Sequence, residues 1–488
     1  MRIRGWQIGA FAVALVLVVL VGKGGRSGPV PTVQSVSADV VNLVPTPAPA
    51  ADPQPRNIIL ISIDTLRADH MGLYGYHRPT TPNIDRFARG ALVFDRAYAA
   101  APFTSPSIVS MLTGLYPYHH GVRLLWQQVD PDLVTLPDLL RAAGYQTAAV
   151  VSNIVLGNEA IGLGSRFDHY DEQMHDSTWH RPEMRERRAE ATTDAAVAWL
   201  GTGRDPQRPF FLWVHYIDPH CPYNPPPDKP VAFTHDTPQP VQPRRIPPSV
   251  REPDILDGLF YVDRYDEEIA YTDAQVRRLL DALGDMDLLD SGLTIITADH
   301  GEQMIDGNTS FFSHGFDVRD AVVHIPLILR GPGLRARRES QPVSICDITP
   351  TVLAAAGADC PAGLDGRCLS ADISPRPPYV EGPDSGGSGG LQRAFVYPDR
   401  KVIVQHGRSN VPRRAWAYDL ANDPAERCPL PVDKAEPAYR ILVRMILDDP
   451  NPGGVPEKYR HGKRPSALVA GGADAEAVTR LRALGYIE

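Results

Sequence analysis

Residues 103–114 read FTSPSIVSMLTG, and the rest of the chain is best interpreted around them. Ser105 followed by Pro106 is the pattern of a helix N-cap with proline in the first helical position, apolar residues then recur at helical spacing, and Gly114 supplies a stop. The pattern predicts that Thr104 lies just ahead of a helix N-terminus. Free backbone N–H groups and the helix dipole favour an anion there, so this hydroxyl would face a phosphate or sulfate site. Taken alone, such a stretch is more often a structural turn.

The composition is that of a globular protein that does not bind nucleic acid. The chain has 488 residues, 43% hydrophobic and 22% charged, which suffices for one large core and a smaller appendage. Its 49 Lys and Arg against 58 Asp and Glu give a formal net charge of −9, whereas nucleic-acid-binding proteins usually carry a basic surface. Five cysteines are too few for a disulfide scaffold. Cys360 and Cys368 either close a small loop or remain free thiols.

Residues 1–27 predict a signal anchor or a signal peptide. Arg2 and Arg4 precede an apolar run over residues 6–22, as in a secretory signal. No small-x-small cleavage site follows the run directly, which favours an uncleaved anchor. Residues 28–56 form a Pro- and Ala-rich linker. We therefore expect a chain that is membrane-anchored or secreted, with its catalytic part outside the cytoplasm, in the periplasm or cell envelope.

From residue 57 onward, predicted strands alternate with predicted helices. Strands are expected at residues 57–64, 147–151, 209–217, 293–298 and 325–330. Helices are expected at residues 135–144, 185–200, 255–283 and 348–356. The alternation predicts an α/β fold with a doubly wound, mostly parallel sheet over residues 57–380. Residues 391–488, with short strands and a helix at 473–484, predict a small C-terminal α+β subdomain.

Polar residues follow the C-terminal ends of the predicted strands. Asp64 ends the first strand, His220 follows another, and Asp299 and His300 follow a third. In doubly wound sheets, ligands bind outside the carboxyl ends of the strands. These side chains are therefore expected to converge on the tip of the helix that Thr104 precedes.

The converging residues predict a metal site with a hydroxyl nucleophile. Asp64, Thr104, Asp299 and His300 form a four-ligand set for one divalent ion. The histidine moves the preference from calcium or magnesium, which stay possible, toward manganese or zinc. A bound ion would lower the pKa of the Thr104 hydroxyl and let it attack an ester.

Two further histidines are candidates for substrate binding and proton transfer. His220 and His314 could hydrogen-bond the transferred group or protonate the leaving oxygen. A structural hydrogen bond is the alternative for His314. His215, inside a predicted strand, is interpreted as a core histidine. The segment 222–253 is predicted to be a surface loop over the site.

In these motifs the chain resembles the sulfatase family of the alkaline-phosphatase superfamily. The matching segments follow the family's order over roughly residues 57–430 and include IDTLRAD (63–69), TPNID (81–85), DPHCPY (218–223), TADHGE (297–302), SHG (313–315) and DITPT (347–351). The resemblance implies an alkaline-phosphatase-like fold, hydrolysis of sulfuric or phosphoric esters, one metal ion, and a small-molecule, glycan or lipid ester as substrate.

The chain departs from the family at the nucleophile. A typical sulfatase has a cysteine or serine there, converted to formylglycine within a Cys/Ser-x-Pro-Ser-Arg motif, whereas this chain has Thr104 and, at the arginine position, Ile108. The extra methyl group of threonine prevents oxidation to that aldehyde, so no formylglycine is expected. The family's second aspartate is replaced by Thr65, and its lysine and histidine are missing from residues 151–157. These features resemble threonine-nucleophile relatives, namely phosphonate and phosphodiester hydrolases and envelope transferases.

Three functions stay open on the sequence. The first is a metal-dependent hydrolase that cleaves sulfate esters or, as the chemistry favours, phosphate or phosphonate esters through Thr104. Water can open a phosphothreonine, whereas a sulfothreonine lacks the elimination that a formylglycine hydrate provides. The second is an envelope transferase of the phosphoethanolamine or phosphoglycerol type. The third is a non-catalytic sulfatase-like binding protein.

Overall fold

The computed structural model describes residues 57–450, except 175, 179–180, 228–230, 307–310, 371–374, 384–389 and 408–410. The predicted signal segment, the linker and the helix expected at 473–484 lie outside the described residues. Within the described part, no helix is both long and apolar enough to cross a membrane.

Fifteen strands are present in the described part of the chain, and nine of them form one central sheet. In chain order they are β1 (Asn57–Ile63), β2 (Leu92–Tyr98), β3 (Gln146–Val151), β4 (His169–Asp171), β5 (Asp176–Thr178), β6 (Arg181–Glu186), β7 (Phe210–Tyr216), β8 (Gly292–Ala298), β9 (His324–Arg330), β10 (Arg337–Glu339), β11 (Val343–Ser344), β12 (Tyr379–Pro383), β13 (Leu391–Val396), β14 (Arg400–His406) and β15 (Pro412–Asp419). The central sheet has the order β10-β2-β9-β8-β1-β7-β3-β4, and β11 also pairs with β2.

Parallel pairing dominates the central sheet, as predicted. β1 runs parallel to both of its neighbours, β7 and β8, and only β9 is antiparallel to the strands beside it. All residues of β1, β7 and β8 are buried, which is typical of parallel strands covered by helices on both faces. The helices are α1 (Pro82–Ala88), α2 (Thr104–Thr113), α3 (Pro117–His120), α4 (Leu136–Ala142), α5 (Asn158–Ile161), α6 (Ala189–Ala198), α7 (Gly258–Asp285), α8 (Asp320–Val323), α9 (Ile348–Ala356) and α10 (Pro437–Asp448). The predicted α/β class is confirmed.

Helix α2 begins two residues earlier than predicted. Its first residue is Thr104, and the residue before it, Phe103, is extended at φ −163° and ψ 160°. The Ser105 hydroxyl is buried without a hydrogen-bond partner, so the predicted Ser105 cap is wrong. Gly114 ends the helix in the left-handed region at φ 70°, as predicted. Thr104 therefore lies in the first helical turn, where backbone N–H groups have no partner within the helix.

The helix predicted at 185–200 is wrong in its first part. Residues up to Glu186 belong to β6, which pairs with β5, and α6 starts only at Ala189. Between them, the backbone N–H of Arg187 donates to the Ser152 carbonyl, and its guanidinium lies 2.5 Å from Asp171. These tertiary contacts override the local helix propensity.

A four-stranded antiparallel sheet, β12-β13-β14-β15, follows the central sheet in the chain. It agrees with the predicted α+β character of the C-terminal region, and α10 packs against it. The first strand of this sheet, β12, lies before residue 391, where the C-terminal subdomain was predicted to start. The Glu381 N–H donates to the Ala100 carbonyl (3.0 Å), and the Glu381 carboxylate pairs with the buried Arg123. The sheet is thereby attached to the segment in front of α2.

The described residues between 222 and 257 are irregular apart from a 3-10 turn, Pro243–Arg245. His235 fastens this loop to the start of α7. Its Nδ1 lies 2.6 Å from Asp263 and its Nε2 lies 2.5 Å from Asp257, and Arg78 pairs with the other oxygen of Asp263. Both ring nitrogens can donate to carboxylates only in the protonated ring. The hydrogen bond to Asp263, and then that to Asp257, raise the pKa of His235.

The loop is expected to loosen as the pH rises. Because the folded-state pKa of His235 is above its ordinary value of 6.5, the stabilisation is fully present below that value and is lost as the pH rises through the folded-state pKa. Limited proteolysis is therefore expected to cut residues 231–246 faster at pH 9 than at pH 6. His235→Gln is cleaved in parallel, because the ratio of the two cleavage rates is independent of the protease's own response to pH. A wild-type to variant ratio of cleavage rates that does not change with pH would contradict the prediction.

Candidate active site

Adjacent parallel strands bring the predicted carboxylates together. Asp64 directly follows β1, and Asp299 directly follows β8, with Ile63 and Ala298 paired in register. Because both strands run in the same direction, their C-terminal ends meet at one edge of the sheet. The Asp64 N–H also donates to the Tyr216 carbonyl at 2.8 Å, which extends the pairing with β7.

The structure brings all four predicted metal ligands into one buried cluster. Ligand atoms of Asp64, Asp299 and His300 all lie within 4.8 Å of one another. The His300 Nε2 is 3.5 Å from Asp64 Oδ1, 3.5 Å from Asp299 Oδ2 and 3.4 Å from Thr104 Oγ1. Both carboxylates and the imidazole are fully buried, and Thr104 is 2% exposed.

The arrangement of the acceptor atoms in this cluster fits a cation. Its Nδ1–H donates to the Gly301 carbonyl at 2.8 Å, and burial, followed by the charge of His314, lowers the pKa of His300 to about 3. The neutral ring therefore directs the lone pair of Nε2 at the carboxylates. Asp64 Oδ1 and Asp299 Oδ2 are buried without a hydrogen-bond partner. Three buried acceptor atoms that face one another at this range form a candidate donor set for a divalent metal ion.

The two carboxylates differ in how readily they ionise. Burial, and then the charge of Asp64, raise the pKa of Asp299 well above its ordinary value. Burial would also raise the pKa of Asp64, but the hydrogen bond from His215 and the neighbouring imidazoles outweigh it and lower that pKa. A divalent ion would remove the repulsion between the two carboxylates.

Two side chains that sequence reasoning did not assign to the site hold Asp64. The Asn153 amide Nδ2 donates to Asp64 Oδ2 at 2.6 Å, and the His215 Nε2 lies 3.4 Å from the same oxygen. Asn153 comes from the segment where the family's lysine and histidine are missing. His215 is fully buried, as expected for a core histidine, yet it contacts a predicted ligand.

The rings of His220 and His314 lie beside the cluster, and their surroundings shift their pKa values in opposite directions. Their ring centroids are 4.9 Å apart, and the His314 ring is 4.5 Å from that of His300. The His220 Nδ1–H donates to the Cys221 carbonyl (2.7 Å), and burial lowers the pKa of His220. Burial also acts to lower the pKa of His314, but Glu302, 3.2 Å from its Nδ1, raises it overall. At neutral pH we therefore expect a neutral His220 and a protonated His314.

Contacts from α2 position the loop that carries the ligands. The Ser107 hydroxyl donates to the Asp299 carbonyl at 2.6 Å. The Gly315 N–H donates to the Pro102 carbonyl at 2.9 Å, just ahead of Thr104. The nucleophile candidate, the ligands and His314 are thereby tied to one helix tip.

Thr65 has a strained backbone beside Asp64. Its φ is 55°, in the left-handed region that β-branched residues avoid. Its N–H donates to Asp299 Oδ1 at 3.3 Å, and its carbonyl accepts from the Tyr265 hydroxyl at 2.7 Å. Such strain is usually held in place at functional sites, and here it orients Asp299. The sequence carries no signal for it.

Two other acidic residues, Asp69 and Asp273, lie outside the cluster and have structural partners. Asp69 pairs with Arg67 at 2.7 Å, and Asp273 accepts from the backbone N–H of Ile84 at the start of α1. Cys360 and Cys368 are both free thiols, so they do not close a loop.

Comparison with known proteins identifies a family model, related sequences and related folds. Residues 56–358 match the family model described as Sulfatase. The chain is similar to the uncharacterized sulfatase YidJ of Escherichia coli K12, with 25% identity covering 76% of this chain and 82% of the relative. It is also similar to human iduronate 2-sulfatase, with 27% identity over 57% of this chain and 60% of the relative. Its fold matches phosphonate monoester hydrolase of Agrobacterium radiobacter at a TM-score of 0.63 and 21% identity, over 80% of this chain and 94% of that one.

Proposed function

We propose that this chain, which belongs to the sulfatase family and is an ester hydrolase of that family, is a metal-dependent enzyme with Thr104 as its nucleophile. The observation that carries the proposal is the convergence of three buried ligand atoms, from Asp64, Asp299 and His300, at the Thr104 hydroxyl. A family member without activity would not need a hydroxyl directed at a cation site.

Asp64, Asp299 and His300, with Thr104 as the fourth ligand, would hold the metal ion. An imidazole among carboxylates favours manganese or zinc over calcium or magnesium. When bound, the ion would lower the pKa of the Thr104 hydroxyl and polarise the ester. The chain therefore needs no formylglycine in our proposal.

The side chains support a two-step hydrolysis. The Thr104 Oγ1 attacks the phosphorus or sulfur atom and loses its proton to His220, whose Nε2 is free because Nδ1 donates to the Cys221 carbonyl. The bond to the leaving oxygen breaks as His314, held protonated by Glu302, donates a proton to it. Water then opens the covalent threonine ester, with the deprotonated His314 taking a proton from that water, and Thr104 regains its own proton from His220.

Phosphorus esters suit this site better than sulfate esters. A phosphothreonine is opened by direct attack of water, whereas a sulfothreonine has no elimination route comparable to that of a formylglycine hydrate. The site also has few cations for the substrate, since the fully buried Ile108 occupies the family's arginine position. We therefore favour singly charged substrates, namely phosphodiesters or phosphonate monoesters, over doubly charged phosphate monoesters.

We propose a small-molecule, glycan or lipid ester as the natural substrate, hydrolysed outside the cytoplasm. Human iduronate 2-sulfatase, one of the relatives, is by its name a sulfatase that acts on iduronate, a sugar acid. Arg2, Arg4 and the apolar run 6–22 have the pattern of an export signal or anchor. Fractionation of cells that produce the full chain tests the location, and recovery of all the protein in the cytoplasm would exclude it.

Matched aryl esters test the proposed reaction. With the full chain and added Mn²⁺ or Zn²⁺, an aryl phosphodiester or aryl phosphonate is expected to turn over about tenfold or more faster than the aryl phosphate monoester or the aryl sulfate. Relative to the phosphate monoester, the expected cause is the single charge of the favoured substrates. Relative to the aryl sulfate, it is the absence of an elimination route from a sulfothreonine. Removal of the metal with a chelator is expected to stop turnover, and re-addition is expected to restore it.

Each other outcome changes the proposal in a defined way. Sulfate turnover above all phosphorus esters would overturn the substrate preference but leave the metal and Thr104 in place. Full activity after chelation would exclude metal dependence. Transfer to an added alcohol, without release to water, would favour the transferase over the hydrolase.

A further inference from the structure

We propose that His215, oriented by Ser62 and Trp213, is a positioning residue that holds Asp64 in the geometry of a metal ligand. The inference rests on the proposed function, since it assigns Asp64 to a cation. It concerns a chain of four fully buried side chains, none of which water can reach to replace a lost hydrogen bond.

The register of the sheet creates this chain of contacts. Ser62 on β1 pairs with His215 on the parallel neighbour β7. Side chains of paired residues lie on the same face of a sheet, and Trp213, two residues before His215, shares that face. Asp64 follows two residues after Ser62, so the contacts lead along one face toward the metal site.

The direction of each hydrogen bond follows from the two ends of the chain of contacts, because the indole of Trp213 can only donate and the ionised carboxylate of Asp64 can only accept. The Trp213 indole Nε1–H donates to Ser62 Oγ at 2.9 Å. Ser62 then directs its own proton at the His215 Nδ1, 2.8 Å away. An accepting Nδ1 means that the neutral ring carries its proton on Nε2, which lies 3.4 Å from Asp64 Oδ2.

In this arrangement the two carboxylate oxygens of Asp64 have different contacts. Oδ2 accepts from the Asn153 amide and faces the His215 Nε2–H, while Oδ1 has no hydrogen-bond partner and lies 3.5 Å from the His300 Nε2. The carboxylate is therefore held at one oxygen and left free at the other. Hydrogen bonds of this kind fix the orientation of a ligand and raise metal affinity.

Metal affinity tests the proposal separately from turnover. The full chain is titrated with Mn²⁺, and the electron paramagnetic resonance signal of the free ion gives the Kd. His215→Leu, which removes the donor to Asp64, is expected to weaken Mn²⁺ binding about 10- to 100-fold. His215→Gln places an amide N–H near the position of Nε2 and is expected to restore most of the affinity. Ser62→Ala, which only frees the ring to turn, is expected to give an intermediate loss.

Thr193→Val is the matched control. It also removes a buried hydroxyl contact, the 2.8 Å contact between Thr193 and the Tyr216 hydroxyl, and Tyr216 points to the face of β7 opposite to His215. Its Mn²⁺ affinity is expected to equal that of the wild type. Urea unfolding of each variant separates weakened binding from unfolding.

The outcomes separate this proposal from the proposed function. Unchanged Mn²⁺ affinity in His215→Leu would overturn the positioning role, and so would an equal loss of affinity in His215→Leu and His215→Gln. Absence of Mn²⁺ binding by the wild type would overturn it as well. If His215→Leu does not fold, Ser62→Ala decides, because wild-type affinity there overturns the proposal. The expected order of affinities, without hydrolysis of any ester, would support the positioning role and reject the hydrolase.

Discussion

Replacing Thr104 by valine is expected to reduce ester hydrolysis about a thousandfold or more. Valine has the shape and β-branching of threonine, and residue 104 is buried in the first turn of α2, so the helix and its packing are expected to persist. The substitution removes the hydroxyl that lies 3.4 Å from the His300 Nε2. Steady-state kinetics on the best aryl ester, with saturating metal, measure the loss.

Two control variants make this result specific. Thr104→Ser keeps a hydroxyl at the same carbon and is expected to stay within about tenfold of the wild-type kcat. Ser105→Ala removes the neighbouring hydroxyl, which is buried without a partner, and is expected to leave kcat unchanged. Near-wild-type turnover by Thr104→Val would show that another group attacks the ester, and Thr104 would then keep at most a role in metal binding.

The positions of Asp64, Asp299 and His300 could be predicted because local sequence determines them. A nearly continuous apolar run marks a buried strand, and the first polar residues after it lie at the edge where ligands bind. β8 ends where this pattern predicts, directly before Asp299, and β1 ends one residue earlier than predicted, so that Asp64 directly follows it. The order of the strands was not needed, since any doubly wound arrangement brings these ends to one edge of the sheet.

Residues that reach the site only through the pairing of neighbouring strands could not be predicted from local sequence. His215 and Ser62 are 153 positions apart, and only the pairing of β1 with β7 shows that they touch. A histidine within an apolar strand looks the same in sequence whether it fills the core or supports a ligand. Asn153 is similar, because it lies in a short turn after β3 whose direction depends on tertiary contacts. The wrong Ser105 cap has a local cause, since several residues near a helix start can serve as its boundary.

Replacing Asp299 by asparagine is expected to change stability in opposite directions with and without metal. Without metal, two buried carboxylates face each other, and Asp299 Oδ2 has no hydrogen-bond partner. Burial and the charge of Asp64 make the ionisation of Asp299 costly. An amide is neutral and avoids this cost, and its Oδ1 can still accept from the N–H groups of His300 and Thr65. We expect the metal-free variant to be more stable than the metal-free wild type by about 1–3 kcal/mol.

With metal, the order is expected to reverse, because the wild type binds the ion and the variant lacks a charged ligand. At a metal concentration one hundred times its Kd, the wild type gains about 2.7 kcal/mol, whereas a variant with much weaker affinity gains little. Thermal unfolding with and without Mn²⁺ measures both effects. Asp273→Asn is the control, since Asp273 is also a buried carboxylate but accepts from Asn83 and Ile84 instead of facing a second acid. It is expected to lower stability in both conditions and to keep the full response to Mn²⁺. A metal-free Asp299→Asn less stable than the wild type would mean that the two carboxylates do not repel each other, and the main argument for a cation between them would fail.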